Sequence, residues 1–222
     1  MIDHDVHTPV AEPVRSTHQR VDGDGWSGPV LVAALVAMTL VAGLCYTFSA
    51  AVMPNLADAD DRTFVATMQR FNDNPAFQIT FTAALVLTAL AAVLQRRHRP
   101  GIAVRWTVVA LVLYAVVLAV TFGIHIPLNS DIDQADPDRI AGLAQVRDDV
   151  EGPWAVWNIP RTLLTTAAVA ALGRALLLHG RSTAARETGA SGRAPAWAPP
   201  AAAFPAASSP SAEPSPQERR VR

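Results

Sequence analysis

Residues 102–124 read IAVRWTVVALVLYAVVLAVTFGI, an apolar run whose one charged residue, Arg105, stands in its first turn. An α-helix rises about 1.5 Å per residue, so about 20 apolar residues cross about 30 Å of hydrocarbon. Three other stretches meet or nearly meet that length, roughly Val30–Val52, Ala76–Leu94 and Trp154–Leu178. Four crossings predict an all-α integral membrane protein folded as an antiparallel four-helix bundle. The ends of the spans are unusual. The first closes in Met53-Pro54-Asn55 and the second follows Asn72-Asp73-Asn74-Pro75. The third closes in His125-Ile126-Pro127-Leu128-Asn129, and the fourth opens with Trp154, Trp157, Asn158, Pro160 and Arg161. In an antiparallel bundle those four places meet at one end, and that end is where a function is expected.

The 222 residues are half apolar and carry a net charge of -1, a balance that favours no nucleic-acid partner. All 18 basic residues are Arg. A single cysteine, Cys45, lies inside the first span. It cannot form an intramolecular disulfide or a dithiol redox pair, and its ordinary role is packing. The first apolar run is too long and too late for a cleaved leader, so it reads as a retained signal anchor. Residues 1–28 form a polar arm expected to be flexible, and residues 29–180 the membrane domain. Residues 181–222 are a Pro/Ala/Ser-rich tail expected to be disordered.

Arginine placement predicts orientation. Arg96, Arg97, Arg99 and Arg105 surround the link between the second and third spans, and Arg181, Arg186 and Arg193 follow the fourth. The other two links carry only Arg62 and Arg70, then Arg139 and Arg147. Because basic residues are retained on the cytoplasmic side, both termini and the middle link are expected in the cytoplasm of a bacterial plasma membrane. Trp26 and Trp106 would then mark the inner interface, with Trp154 and Trp157 at the outer one.

Both outer links predict short helices. Asp60 and Asp61 suit an N-terminus, and Phe64, Met68 and Phe71 recur at helical spacing, so an amphipathic helix should lie across the bundle mouth. Gln69 and Asn72 fall on an adjacent face. Asp136-Pro137 should cap a second helix carrying Ile140, Leu143, Ala144 and Val150 and closed by Gly152-Pro153. Small residues recur every fourth position in each span, at Gly43, Thr47 and Ala51, then Thr80, Ala84, Thr88 and Ala92. Ala115, Ala119 and Gly123, then Thr162, Thr166 and Ala170, continue the pattern. Stripes of this kind let helix backbones approach in lipid.

Within the polar end, Arg161 is the costliest residue, since a guanidinium at a membrane depth must pair, reach water or bind a ligand. Snorkelling to the interface is the bland alternative to a role in holding an anionic or enolate oxygen. Pro160 cannot donate to the Val156 carbonyl and should kink the helix. His125 is the one histidine in the apolar region; such a residue is more often a hydrogen-bonded structural one, and the alternative is a base for proton abstraction near neutral pH. Asn55 and Asn74 suit helix caps, while Asn129 and Asn158 remain open between capping and binding. Tyr46 and Trp157 could wall a flat pocket. No His/His or His/carboxylate pair stands at metal-ligand spacing.

The order of these elements resembles the small four-span membrane family that includes the anthrone oxygenases. The residues that carry the likeness are Gly43-Leu44-Cys45-Tyr46-Thr47-Phe48, Met53-Pro54, Met68-Gln69-Arg70-Phe71-Asn72, Ile126-Pro127-Leu128-Asn129 and Trp154-x-x-Trp157-Asn158-x-x-Arg161-Thr162. The resemblance spans roughly residues 30 to 178. It implies oxidation of a lipophilic aromatic anthrone to its quinone by molecular oxygen without an organic cofactor. In that chemistry His125 would act as base and Arg161 would hold the enolate oxygen. Asn129 and Asn158 would act as donors, with Tyr46, Gln69, Asn72 and Trp157 at the substrate. Two other classes stay open: a non-catalytic membrane protein that binds lipid or quinone or assists a partner, and a small homo-oligomeric transporter. The spans' lack of Asp and Glu counts against the transporter.

Topology is directly testable. In a Cys45→Ala background, Arg97→Cys should react with a membrane-impermeant maleimide only after cells are opened, whereas Asp138→Cys should react in intact cells. The opposite pattern would invert the predicted orientation.

Overall fold

A computed structural model describes residues 26–98 and 101–191, with side chains through residue 185. Residues 1–25 of the expected flexible arm and 192–222 of the expected disordered tail lie outside the described residues, whereas Ser27 and Gly28 begin the first helix and residues 181–191 continue the last. The chain divides into two compact units, Met1–Thr183 and Ala184–Arg222. All contacts below lie within the first.

The described residues form helices joined by short turns, with no strand among them. Helix α1, Ser27–Thr47, passes through a π-helical turn at Phe48–Val52 into α2, Met53–Ala57. Helix α3 spans Asp61–Asn72 and α4 spans Pro75–His98. Helix α5, Ile102–Val120, passes through a second π-helical turn at Thr121–His125 into α6, Ile126–Asp133, and α7 runs Leu143–Ser191. Four stretches are long and apolar enough to cross a membrane: Ser27–Ala57, Pro75–His98, Ile102–Asp133 and Leu143–Ala185. Large apolar side chains such as Val36, Leu40, Val86, Val112, Leu163 and Leu177 stand exposed on their outer faces. In water such a surface would be an association patch, whereas hydrocarbon accepts it without penalty.

Side-chain contacts give the helix directions. Thr107 Oγ1 donates to Gln95 Oε1 at 2.9 Å and the Tyr114 hydroxyl donates to the Phe81 carbonyl at 2.9 Å, so α4 and α5 run antiparallel. Asn158 meets the Cys45 carbonyl near one end of α1, while Gly28 at the other end lies beside the His179 ring, so α7 is antiparallel to α1. Phe48 at the end of α1 meets Phe77 at the start of α4 with ring centroids 5.9 Å apart. The core between them is built from Leu31, Met38, Val41, Ala84, Ala91, Tyr114, Val117, Ala168, Leu172 and Ala175.

The small-residue stripes are mostly not the packing faces. Only Ala84, Thr88 and Ala92 of α4 are buried; Gly43, Thr47, Ala115, Ala119, Gly123, Thr166 and Ala170 face outward. The buried stripes are offset by about one residue. In α7 they follow Trp154, Asn158, Arg161, Thr165, Ala168 and Leu172. In an Ala-rich span a periodic small residue marks no particular side. His179 is buried at the end of the bundle far from the polar cluster.

The π turns explain how two prolines sit inside continuous helices. Pro54 and Pro127 each lack an N–H and crowd the carbonyl four residues back, Ala50 and Gly123 respectively. Each proline lies two residues after a wide turn in which the Met53 N–H bonds to the Phe48 carbonyl, or the Ile126 N–H to the Thr121 carbonyl, five residues back. The wider turn makes room and shifts the buried face. Phe48 and Met53, five apart, are both buried. Asn55 therefore caps nothing: its Nδ2 donates to the Ala51 carbonyl within the helix. Asn74 does cap α4, with its Oδ1 accepting from the Ala76 N–H at 3.0 Å.

Helix α3 lies over the bundle end as expected, with Phe64, Val65 and Met68 fully buried against Met53, Leu56, Ile132, Val150 and Trp154. Asp60 caps it through the Thr63 N–H and hydroxyl. Those bonds hold the Asp60 carboxyl below its usual range, so the cap persists in mild acid and is lost as pH falls through the lowered value. The second loop differs from expectation. Asp136 closes only a turn, accepting from the Asp138 N–H. Helix begins at Leu143 and continues without interruption through Gly152, Pro153 and Pro160 into the long span.

Arg147 ties these parts together. Its guanidinium donates to the carbonyls of Leu56, Ala57 and Ala59, to Asp61 and to Glu151, and it lies over the Phe64 ring at 5.1 Å. It thereby satisfies orphan carbonyls at the end of α2 and fixes the start of α3. Arg147→Ala should lower stability by about 1.5–3 kcal/mol, the range for hydrogen bonds to a charged group, read as a lower unfolding midpoint in detergent. Arg147→Lys should recover only part of it, because an ammonium cannot span the fork.

Candidate functional site

Helical geometry brings the polar residues of three helices to one place. In α7, Trp154, Asn158, Arg161 and Thr165 are spaced so that all four share the buried face. In the second π turn and α6, His125, Asn129 and Asp133 repeat every fourth residue and point the same way. From α1, Cys45 and Phe48 complete the wall. Together with Phe71, Asn72, Phe77, Gln78, Phe81 and Thr82 they line a cavity of about 470 Å³, within the size range of small-molecule sites.

The walls are aromatic. Phe48 meets Phe71 and Trp154 with ring centroids 5.1 Å apart in each case. His125 stands edge-on to Trp154 at 5.0 Å, and the Trp154 indole N–H donates to Asn129 Oδ1 at 2.9 Å. Arg161 lies over the Phe81 ring at 5.5 Å. Asn72 Nδ2 donates to Asp133 at 2.9 Å.

Three of the side chains that line the cavity leave buried polar atoms without protein partners, as Ser27, Thr88 and Gln95 do elsewhere in the bundle. Both ring nitrogens of His125, Nε of Arg161 and Oδ1 of Asn158 make no hydrogen bond. His125 and Asn158 are each 1% exposed and Arg161 is 7% exposed. No carboxylate forms an ion pair with Arg161 among the described residues. In a low-dielectric setting each orphaned group carries a cost of about 1–3 kcal/mol, and more for a charge. Such a cost is relieved by a bound ligand or by ordered water.

The two asparagines are oriented oppositely. Asn129 receives the Trp154 N–H on its oxygen, and its amide N–H groups remain its donors. Asn158 donates from Nδ2 to the Cys45 carbonyl at 2.8 Å and to the Ser49 hydroxyl at 2.9 Å. A carbonyl can only accept, so the amide orientation is fixed and Oδ1 is the free atom. The sequence reading of Asn158 as a donor to substrate is therefore reversed.

Of the residues expected at the site, His125, Arg161, Asn72, Asn129 and Asn158 line the cavity. Tyr46, Gln69 and Trp157 do not. Tyr46 follows Cys45 by one residue, a rotation of about 100°, and is 63% exposed on the outside of α1. Trp157 is turned outward in the same way from Asn158. Gln69 instead donates to the carbonyls of Ile132 and Ala135, holding α3 to the end of α6. Trp154, expected at the membrane interface, is buried at 5% exposure in the cavity wall. Its spacing of four and seven residues from Asn158 and Arg161 was the signal that it faces inward. Cys45, expected to be simple packing, also lines the cavity.

The cavity reaches the outer surface between α4 and α5–α6. Gln78, Thr82, Phe122 and Ile126 both line it and stand exposed on the helix exteriors.

No curated protein and no solved structure matches the chain. A family model described as anthrone oxygenase matches residues 73–171. That stretch holds α4, α5, α6 and the first half of the α7 span, and with them His125, Asn129, Trp154, Asn158 and Arg161. It also contains the Ile126-Pro127-Leu128-Asn129 and Trp154-to-Thr162 elements on which the resemblance rests, and it supports assigning the chain to an anthrone oxygenase-like family.

Proposed function

We propose that the protein is a membrane oxygenase that converts a flat, lipophilic aryl ketone with an acidic methylene, such as an anthrone, to its quinone using molecular oxygen. The observation that carries this reading is the convergence of His125, Arg161 and Asn158, each buried with an unpartnered polar atom, on one aromatic-walled cavity. The family match supports the same chemistry.

The roles follow from the atoms available. His125 takes a proton from the methylene, and the electron pair moves toward the ketone oxygen to give an enolate. Arg161 holds that oxygen, and Asn129 supplies a second donor. The enolate carbon gives its electrons to oxygen, forming a C–O bond and a peroxide that accepts the proton held by His125. Loss of the second methylene proton breaks the O–O bond. The products are the quinone and water, so the ketone is oxidised and oxygen reduced with no other reactant. The resemblance implies that no organic cofactor takes part. Substrate dissolved in the bilayer reaches the site through the opening between α4 and α5.

Two predictions test this. Purified protein in lipid nanodiscs should accelerate oxygen uptake with anthrone, and His125→Ala and Arg161→Ala should each slow it on the order of 10²-fold. Equal rates in all three proteins would remove the roles assigned here. Quinone binding without oxygen uptake would favour a carrier or accessory protein instead. Second, Thr82→Trp should fill the opening, raising KM for anthrone while changing the unfolding free energy by no more than about 0.5 kcal/mol, as for a surface change.

A further inference from the structure

Cys45 carries the one thiol of the chain, and the proposed oxidation leaves it unused. It is 3% exposed and lines the cavity. The Asn158 amide donates to its carbonyl at 2.8 Å, which fixes the backbone that carries the sulfur. The Arg161 guanidinium and the Thr165 hydroxyl lie close enough to interact with the thiol. A lone buried thiol is ordinarily inert packing. This one shares its cavity with two buried side chains whose polar atoms lack partners, Arg161 through Nε and His125 through both ring nitrogens. A nucleophile, a cationic partner for an oxyanion and a base therefore line one aromatic-walled space.

We propose that Cys45 is a covalent modification site for flat, lipophilic α,β-unsaturated ketones, among them quinones with an unsubstituted ring position. The sulfur adds to the β-carbon, and the electron pair of the C=C bond moves through the carbonyl to its oxygen. Arg161 faces the charge that builds there. The thiol proton passes to His125 and then to that oxygen, so the adduct keeps every atom of thiol and ketone. In a quinone, the hydrogen on the attacked carbon then moves to the second carbonyl oxygen and leaves a hydroquinone thioether. No outside oxidant or reductant takes part. An anthraquinone has every quinone carbon fused into a flanking ring and offers no position to attack, so it leaves the cavity unbound where a smaller quinone is trapped. The part played by Arg161 rests on the proposed function; the thiol addition itself needs no oxygen uptake.

The test follows adduct mass on the protein in nanodiscs without oxygen, with peptide mapping to locate it. The chain has one cysteine and no lysine, so competing side chains are few. The control is the double variant Cys45→Ala, Gly43→Cys, which moves the thiol two residues along α1 to an exposed position with open space around it. 1,4-Naphthoquinone should label Cys45 about 10-fold faster than the control thiol, or more. Benzyl bromide reacts by displacing bromide and builds no charge on oxygen, so it should show no such advantage. Excess 9,10-anthraquinone should slow the labelling of Cys45 and leave the control unchanged. Naphthoquinone labelling that is no faster at Cys45, or an equal advantage for both reagents, overturns the inference. Oxygen uptake with anthrone alongside unselective labelling leaves the oxygenase reading standing without it. Selective labelling with neither anthraquinone protection nor oxygen uptake overturns the oxygenase reading while the inference stands.

Discussion

Asn158 donates to the Cys45 carbonyl and the Ser49 hydroxyl, and the geometry of the site depends on that bridge. In lipid no water competes for those groups, so a pair of hydrogen bonds from one side chain fixes the contact between α7 and α1. Arg161 lies one turn further along α7, and its depth in the bundle is set by the same contact. The bridge also decides which end of the Asn158 amide is left over. A structural bond and the polarity of the candidate binding surface are therefore one arrangement.

The π turns act at the same level. Each comes just before a proline, and each changes which side of its helix faces inward. Phe48 enters the aromatic wall through the first, and His125 ends the second. Regular α-helix through Phe48–Val52 or Thr121–His125 would rotate everything beyond them by roughly one residue, about 100°. Asn129 would then miss the Trp154 indole. The prolines thus have a positional effect, and the helices stay continuous.

At the end above the cavity, Arg147 and Gln69 do structural work that leaves the site residues free. Arg147 satisfies the carbonyls where α2 ends, and Gln69 satisfies those where α6 ends. Helix α3 is held between them and covers the aromatic wall. Exposed backbone at helix ends is the feature most costly to leave unpaired near a membrane, and here long polar side chains from neighbouring helices supply the partners.

The sequence by itself determined the four helices, because apolar length is a local property and hydrocarbon thickness supplies the scale. It also determined the gathering of His125, Asn129, Asn158 and Arg161 at one end, since antiparallel helices bring alternate span ends together. Phe64 and Met68 under α3 were legible from their spacing, as was the Asp60 cap. Faces within the spans were not. In chains apolar on every side the period of the pattern is weak, and the π turns reset it without a marker other than proline. So Trp154 and Cys45 proved to face the cavity while Tyr46 and Trp157 faced out. Which atom of Asn158 is free is a tertiary fact as well: it follows from a carbonyl on another helix that can accept a hydrogen bond but cannot donate one.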